Sequence, residues 1–197
     1  MANSEQIRIL REQTGAGVLD CKKALDMHNG DAGKAAEWLR EKGLASAAKR
    51  SSREAHDGVI EAYSHLGGRM AVLVEVNCET DFVARTPEFK TLAHDLALQI
   101  ASGAPLYVRK EDVPAEVVAA KQEQYKQEAI AEGKKPEIAE RIANGKMDKF
   151  YQEACLLEQQ FVKDDKVKIS DLIKSAAITT RENIVVRRFV RYEIGGQ

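Results

Sequence analysis

Apolar residues recur at helical spacing through the first forty-odd positions and at every second position soon afterwards, and that change of period divides the chain. Ile7 and Leu10, with Ile9 beside them, form the apolar side of a first helix. Asn3 and Gln6 stand at the spacing that caps its start, and Gly15-Ala16-Gly17 breaks it. A second helix carries Val18, Cys21, Ala24, Leu25 and His28 and stops at Asn29-Gly30. Asp31 caps a third, with Ala35, Ala36 and Leu39 beside Trp38 and Gly43 expected as its terminator. Residues 44–56, rich in Ala, Ser, Lys and Arg, read as a linker with a possible helical start.

The period then becomes two. Asp57 to Ser64 and Met70 to Cys78 read as paired strands joined by His65 to Arg69. Val72, Val74, Val76 and Cys78 fall on one face of the second strand; Ala71, Leu73, Glu75 and Asn77 fall on the other. Thr86 and Pro87 open a helix whose stripe is Phe89, Leu92, Ala93, Leu96, Ala97 and Ile100, ended by Gly103 and Pro105. Residues 114–157 predict a projecting helical hairpin, with Pro114 and Pro136 in first turns and breaks at Gly133 and Asn144-Gly145. A connector from Phe161 to Lys168, a short helix near 170–177 and a strand from Ile184 to Ile194 complete the chain. This order specifies an α+β fold with an antiparallel sheet. Its expected units are a three-helix domain with linker over 1–54 and an α+β core over 55–197.

Composition narrows the function. Thirty Lys and Arg stand against 31 Asp and Glu, for a net charge of −1, so the basic excess usual for nucleic-acid binders is missing. The three cysteines are far apart, and without a CxxC pair they suggest neither a zinc site nor a disulfide framework. With no signal-peptide pattern and no apolar run near the ~20 residues of a membrane span, the expectation is a cytoplasmic, non-membrane protein.

Candidate chemistry is thin. Gly30-Asp31-Ala32-Gly33-Lys34 has the wrong spacing for a phosphate loop, and Asp31 suits a helix cap. Cys78 closes a strand on its apolar face and reads as a packed thiol; a hydrolase using it with a histidine has no supporting motif. Glu75, Glu79 and Asp81 lack the partners of a metal cage. Arg187 and Arg191 are expected on one strand face and Arg188 on the other, which suits a solvated or salt-bridged sheet edge better than an RNA platform. One segment stands apart. Glu79-Thr80-Asp81-Phe82-Val83-Ala84-Arg85 sets a carboxylate beside an aromatic and a β-branched residue at a strand-helix corner. Phe82 either tucks under the hairpin or serves as a wedge aimed at a partner.

The stretches Leu10 to Leu25 (LREQTGAGVLDCKKAL) and Glu75 to Ala84 (EVNCETDFVA) closely resemble two signatures of bacterial translation elongation factor Ts. Further similarity lies in Lys149-Phe150-Tyr151 through Phe161-Val162-Lys163-Asp164 and in Glu182-Asn183-Ile184 through Phe189, in the right order over almost the whole chain. Thr179-Thr180-Arg181 departs from the Lys-x-Gly run that many members have there.

The resemblance implies a guanine-nucleotide exchange factor for elongation factor Tu, not an enzyme, with no cofactor and no nucleotide or nucleic acid bound directly. It implies a ubiquitin-associated-like N-terminal domain in which Arg11, Val18 and Leu19 contact the partner. It also implies that Thr80, Asp81, Phe82 and Val83 reach toward the partner's Mg²⁺ and phosphate region, and that the helical hairpin is a coiled-coil arm. A single core unit resembles the short forms that dimerise, so a homodimer is expected. The competing reading is an RNA- or ribosome-associated adaptor.

Overall fold

The computed structural model describes residues 2–196. Three helices come first: α1 (Ser4–Thr14), α2 (Val18–Met27) and α3 (Ala32–Arg50). The Asn3 side chain accepts from the Gln6 N–H at 2.8 Å, the Gln6 side chain answers at the Asn3 N–H, and Gly15 ends α1 at φ 65°. Asp31 caps α3 through the Lys34 N–H at 3.0 Å. Leu10, Cys21, Ala24, Leu25, Ala35 and Leu39 form the core of this unit.

Gly43 does not end α3. The helix runs on to Arg50 because Leu44 to Arg50 are mostly good helix formers and because Gly43 serves another purpose. A Cβ at Gly43 would lie 2.8 Å from Ile178 Cγ2, so the missing side chain lets α3 lie close against α8 (Ile169–Thr180). Arg50 reinforces that contact by donating to the Ala177 carbonyl at 3.0 Å.

The sheet is antiparallel in the order β1 (Asp57–His65), β2 (Met70–Cys78), β5 (Val185–Glu193). Val72, Val74, Val76 and Cys78 are fully buried beneath α5 (Pro87–Gly103), whose Phe89, Leu92, Leu96 and Ile100 meet them as the alternation requires. Thr86 caps α5 at the Phe89 N–H, 3.3 Å. The β2–β5 register slips between Glu75 and Val76: Arg188 pairs with Glu75 and Val186 with Val76, leaving Arg187 as the extra residue of a bulge. Arg187 is therefore exposed beside Arg188, and Arg191 alone of the three turns inward, donating to the Ala101 carbonyl at 3.3 Å. The expected shared face of Arg187 and Arg191 is corrected by that bulge.

The hairpin is made of α6 (Ala115–Ala131) and α7 (Pro136–Ala154). Asn144-Gly145 causes no break: a helical glycine costs only about 1 kcal/mol, and packing of Ala143 and Met147 against α6 outweighs it. The expected connector at 161–168 contains a small hairpin, β3 (Gln160–Phe161) and β4 (Asp164–Lys168). A buried amide relay fastens this region to α5. Gln99 donates to Gln159 Oε1 at 2.9 Å and accepts from the Val162 N–H at 2.7 Å, while Gln159 donates to the carbonyls of Gly103 and Glu153. No helix among the described residues is long and apolar enough to cross a membrane.

Candidate functional site: an aromatic corner between strand and helix

After β2 the chain turns through Glu79 and Thr80 into α4 (Asp81–Ala84), a single four-residue turn. A turn this short cannot stabilise itself, since helix nucleation costs more than one hydrogen bond returns. It is held from both ends. Thr80 Oγ1 accepts from the Val83 N–H at 3.4 Å, and Thr86 Oγ1 donates to the Val83 carbonyl at 2.8 Å. Ala84 is buried in the main core and Val83 packs against it. At roughly 100° per residue, seating Val83 and Ala84 inward turns Asp81 and Phe82 outward. Phe82 is 81% exposed. Of the two fates the sequence left open, the tucked ring is ruled out.

Asp81 pairs with Arg85 at 2.8 Å on the surface. Such exposed pairs are worth about 0–1 kcal/mol, so Asp81 can exchange this partner for another at little cost. Below the corner, the buried Cys78 thiol donates to the Thr80 carbonyl at 3.2 Å, and burial pushes its pKa up from 9.0 to about 11. A thiol held protonated is a poor nucleophile, so Cys78 is structural. Among the described residues no group of His, Cys, Asp and Glu could hold a metal ion.

Sequence reasoning assigned no role to what holds the corner from outside. The Glu182 carboxylate accepts from the Glu79 N–H at 2.9 Å, the Thr80 N–H at 3.1 Å and the Thr80 hydroxyl at 2.6 Å. Asn183 donates its N–H to Glu79 Oε1 at 2.7 Å and its amide to the carbonyls of Arg53, 2.7 Å, and Ser51, 3.3 Å. Arg53 closes the ring on Glu79 at 3.3 Å. The only hint in the sequence was the Glu182-Asn183-Ile184 run within the family resemblance. Arg181, just before it, sits at φ 62° in the left-handed region, where a glycine would be unstrained.

The N-terminal candidates stand on α1 and α2 rather than on this corner. Val18 and Leu19 begin α2 and are 51% and 82% exposed. Arg11, in the last turn of α1, lines one shallow groove with Ile7, Gly15 and Val18. Arg11 and Val18 are thus brought together; Leu19 does not line that groove.

Comparison with known proteins decides the family. A family model described as elongation factor TS matches residues 34–196. The elongation factor Ts of Moorella thermoacetica is 53% identical over 195 residues, covering 99% of this chain and 96% of that protein. Those of Carboxydothermus hydrogenoformans, 52% identical over 99% and 90%, and Thermotoga maritima, 55% identical over 96% and 94%, agree. This chain belongs to the elongation factor Ts family. Its place is therefore in the elongation stage of protein synthesis, and the exposed corner lies inside the region that the family model matches.

Proposed function

We propose that this protein is a guanine-nucleotide exchange factor for elongation factor Tu and that the Thr80–Val83 corner is its working part. The observation that carries the reading is Phe82, 81% exposed on a corner pinned from several sides, in a chain of this family. Leaving a phenyl ring in water forgoes about 1.5–3 kcal/mol of burial, which a partner that covers it restores. Phe82 wedges between elements of the GTPase, and Asp81, released from Arg85, engages groups beside the bound Mg²⁺. Magnesium bridges the nucleotide phosphates, so disturbing it loosens GDP without any covalent step. The coupling is reciprocal: GDP weakens this protein's binding by the same factor, and incoming GTP expels it.

Residues 1–54 act as a second contact unit through Arg11, Val18 and Leu19, and residues 55–197 carry the corner, the helical hairpin and a self-association surface. The protein works in the cytoplasm and takes no cofactor. A homodimer is supported by the outer face of the sheet, where Ile60, Leu73, Val190 and Tyr192 are all exposed. Neighbouring apolar side chains uncovered on one sheet face favour a partner surface. Light scattering at working concentration is expected to give twice the chain mass; a clean monomer would remove this element.

The test is release of a fluorescent GDP analogue from elongation factor Tu. Wild type accelerates release, and Phe82→Ala and Asp81→Ala each slow it with the fold unchanged, Phe82→Ala by about tenfold or more. Wild-type protein without effect would defeat the exchange reading and turn attention to RNA binding through Arg187 and Arg188.

A further inference from the structure

We infer that Glu182 and Asn183 are positioning residues: a two-residue clasp that aims the Phe82 corner and ties it to the end of the N-terminal unit. The inference rests on the exchange reading for its functional consequence and on geometry for its structure. A four-residue helical turn has no length to orient itself, and its aim depends on what fixes its entry. Here the entry is fixed by a carboxylate more than a hundred residues away in sequence. Glu182 takes both consecutive backbone N–H groups at the end of β2, and the same carboxylate takes the hydroxyl of Thr80, the residue that caps the turn. Three hydrogen bonds to one anion are charge-assisted and converge on one rotamer.

Asn183 supplies the second half of the clasp. Its backbone N–H holds Glu79, and its side-chain amide spans to the carbonyls of Ser51 and Arg53, just past the end of α3. Arg53 in turn reaches Glu79. The last residues of the N-terminal unit and the corner are therefore fastened to the same two residues. A rotation of α3 against the core has to break this ring or carry the corner with it. The clasp makes the two proposed contact regions one rigid pair and sets the distance between Phe82 and the Val18–Leu19 face in advance of binding.

The experiment compares wild type, Glu182→Ala, Glu182→Gln, Phe82→Ala and the Glu182→Ala/Phe82→Ala double variant by two readouts. Amide hydrogen exchange at Glu79, Thr80 and Val83 reads the clasp without any partner. It is expected to quicken at least tenfold in Glu182→Ala while α5 amides keep their protection. GDP-analogue release over a range of factor concentrations reads the consequence. The maximal rate is expected to fall about tenfold, with the half-saturating concentration little changed. Because the clasp aims both Asp81 and Phe82, the loss in the double variant is expected to exceed that of Phe82→Ala only slightly and to fall well short of the product of the two single losses. Glu182→Gln keeps an oxygen for both backbone N–H groups and is expected to recover part of both losses; it decides the question if Glu182→Ala fails to fold. Unchanged amide protection, a wild-type maximal rate, or losses that multiply in the double variant would each overturn the inference. Quickened amide exchange beside an inactive wild type would confirm the clasp and remove only the exchange reading.

Discussion

The two exposed apolar regions, Val18 with Leu19 and Phe82 with its neighbours, are built by opposite means. Val18 and Leu19 stand in the first turn of a ten-residue helix, where helical geometry alone sets their direction. Gly17 caps that helix without a side-chain bond, and the unit beneath has a small core centred on Leu10 and Leu25. Phe82 stands on a four-residue turn above the large sheet-and-helix core, aimed by Glu182, Asn183, Thr80 and Thr86. One surface borrows its order from secondary structure, the other from tertiary hydrogen bonds. The difference teaches where each is fragile: the first to anything that melts three small helices, the second to single polar substitutions far away in sequence.

Leu25→Ala is the largest expected breach of that comparison. Leu25 is fully buried, and removing such a side chain costs about 2–5 kcal/mol, a large share of what so small a unit can hold. Amides of α1 and α2 should then exchange with solvent much faster while those of β2 and the corner stay protected. Loss of protection in both regions at once would mean that they unfold as one body.

A smaller effect comes from pH. Burial raises Cys78 and Cys155 from 9.0 to about 11, and raises Cys21 in the N-terminal unit as well. A raised thiol pKa means that the folded chain holds its proton more tightly than the unfolded one. The associated stability is complete below about pH 9 and drains away as pH climbs toward about 11. A melting temperature that falls across this window, with a shallower fall in Cys78→Ala, is expected; a flat profile would mean that the thiols ionise without opening the core.

The sequence made local features legible and missed those that depend on contacts across the chain. The Asn3–Gln6 capping box, the Thr86-Pro87 helix start, the β1–β2 hairpin and the Phe89 stripe all follow short-range rules and stand where the pattern put them. Gly43 reads as a helix end in the sequence because the same residue that ends helices also permits close helix packing, and only the position of Ile178 decides between them. Asn144-Gly145 reads as a break, but packing of α7 against α6 outweighs propensity there. The bulge at Arg187 could not be foreseen from alternation, since it depends on the register with β2. At the corner, the odd composition of Thr80 to Val83 drew attention, but whether Phe82 or Val83 would face inward was not written in their neighbours. Glu182 carried no local signal at all, because its partners lie at Glu79 and Thr80.

The most direct measurement is GDP-analogue release from elongation factor Tu as a function of factor concentration, for Phe82→Ala beside the paired Val18→Ala/Leu19→Ala variant. If the corner does the work and the N-terminal unit supplies grip, Phe82→Ala lowers the maximal rate by about tenfold or more at saturation. The paired variant then raises the half-saturating concentration and leaves the maximal rate intact. Phe82→Ala with a wild-type maximal rate, its defect cured by adding more protein, would contradict the account and make the corner one more binding contact.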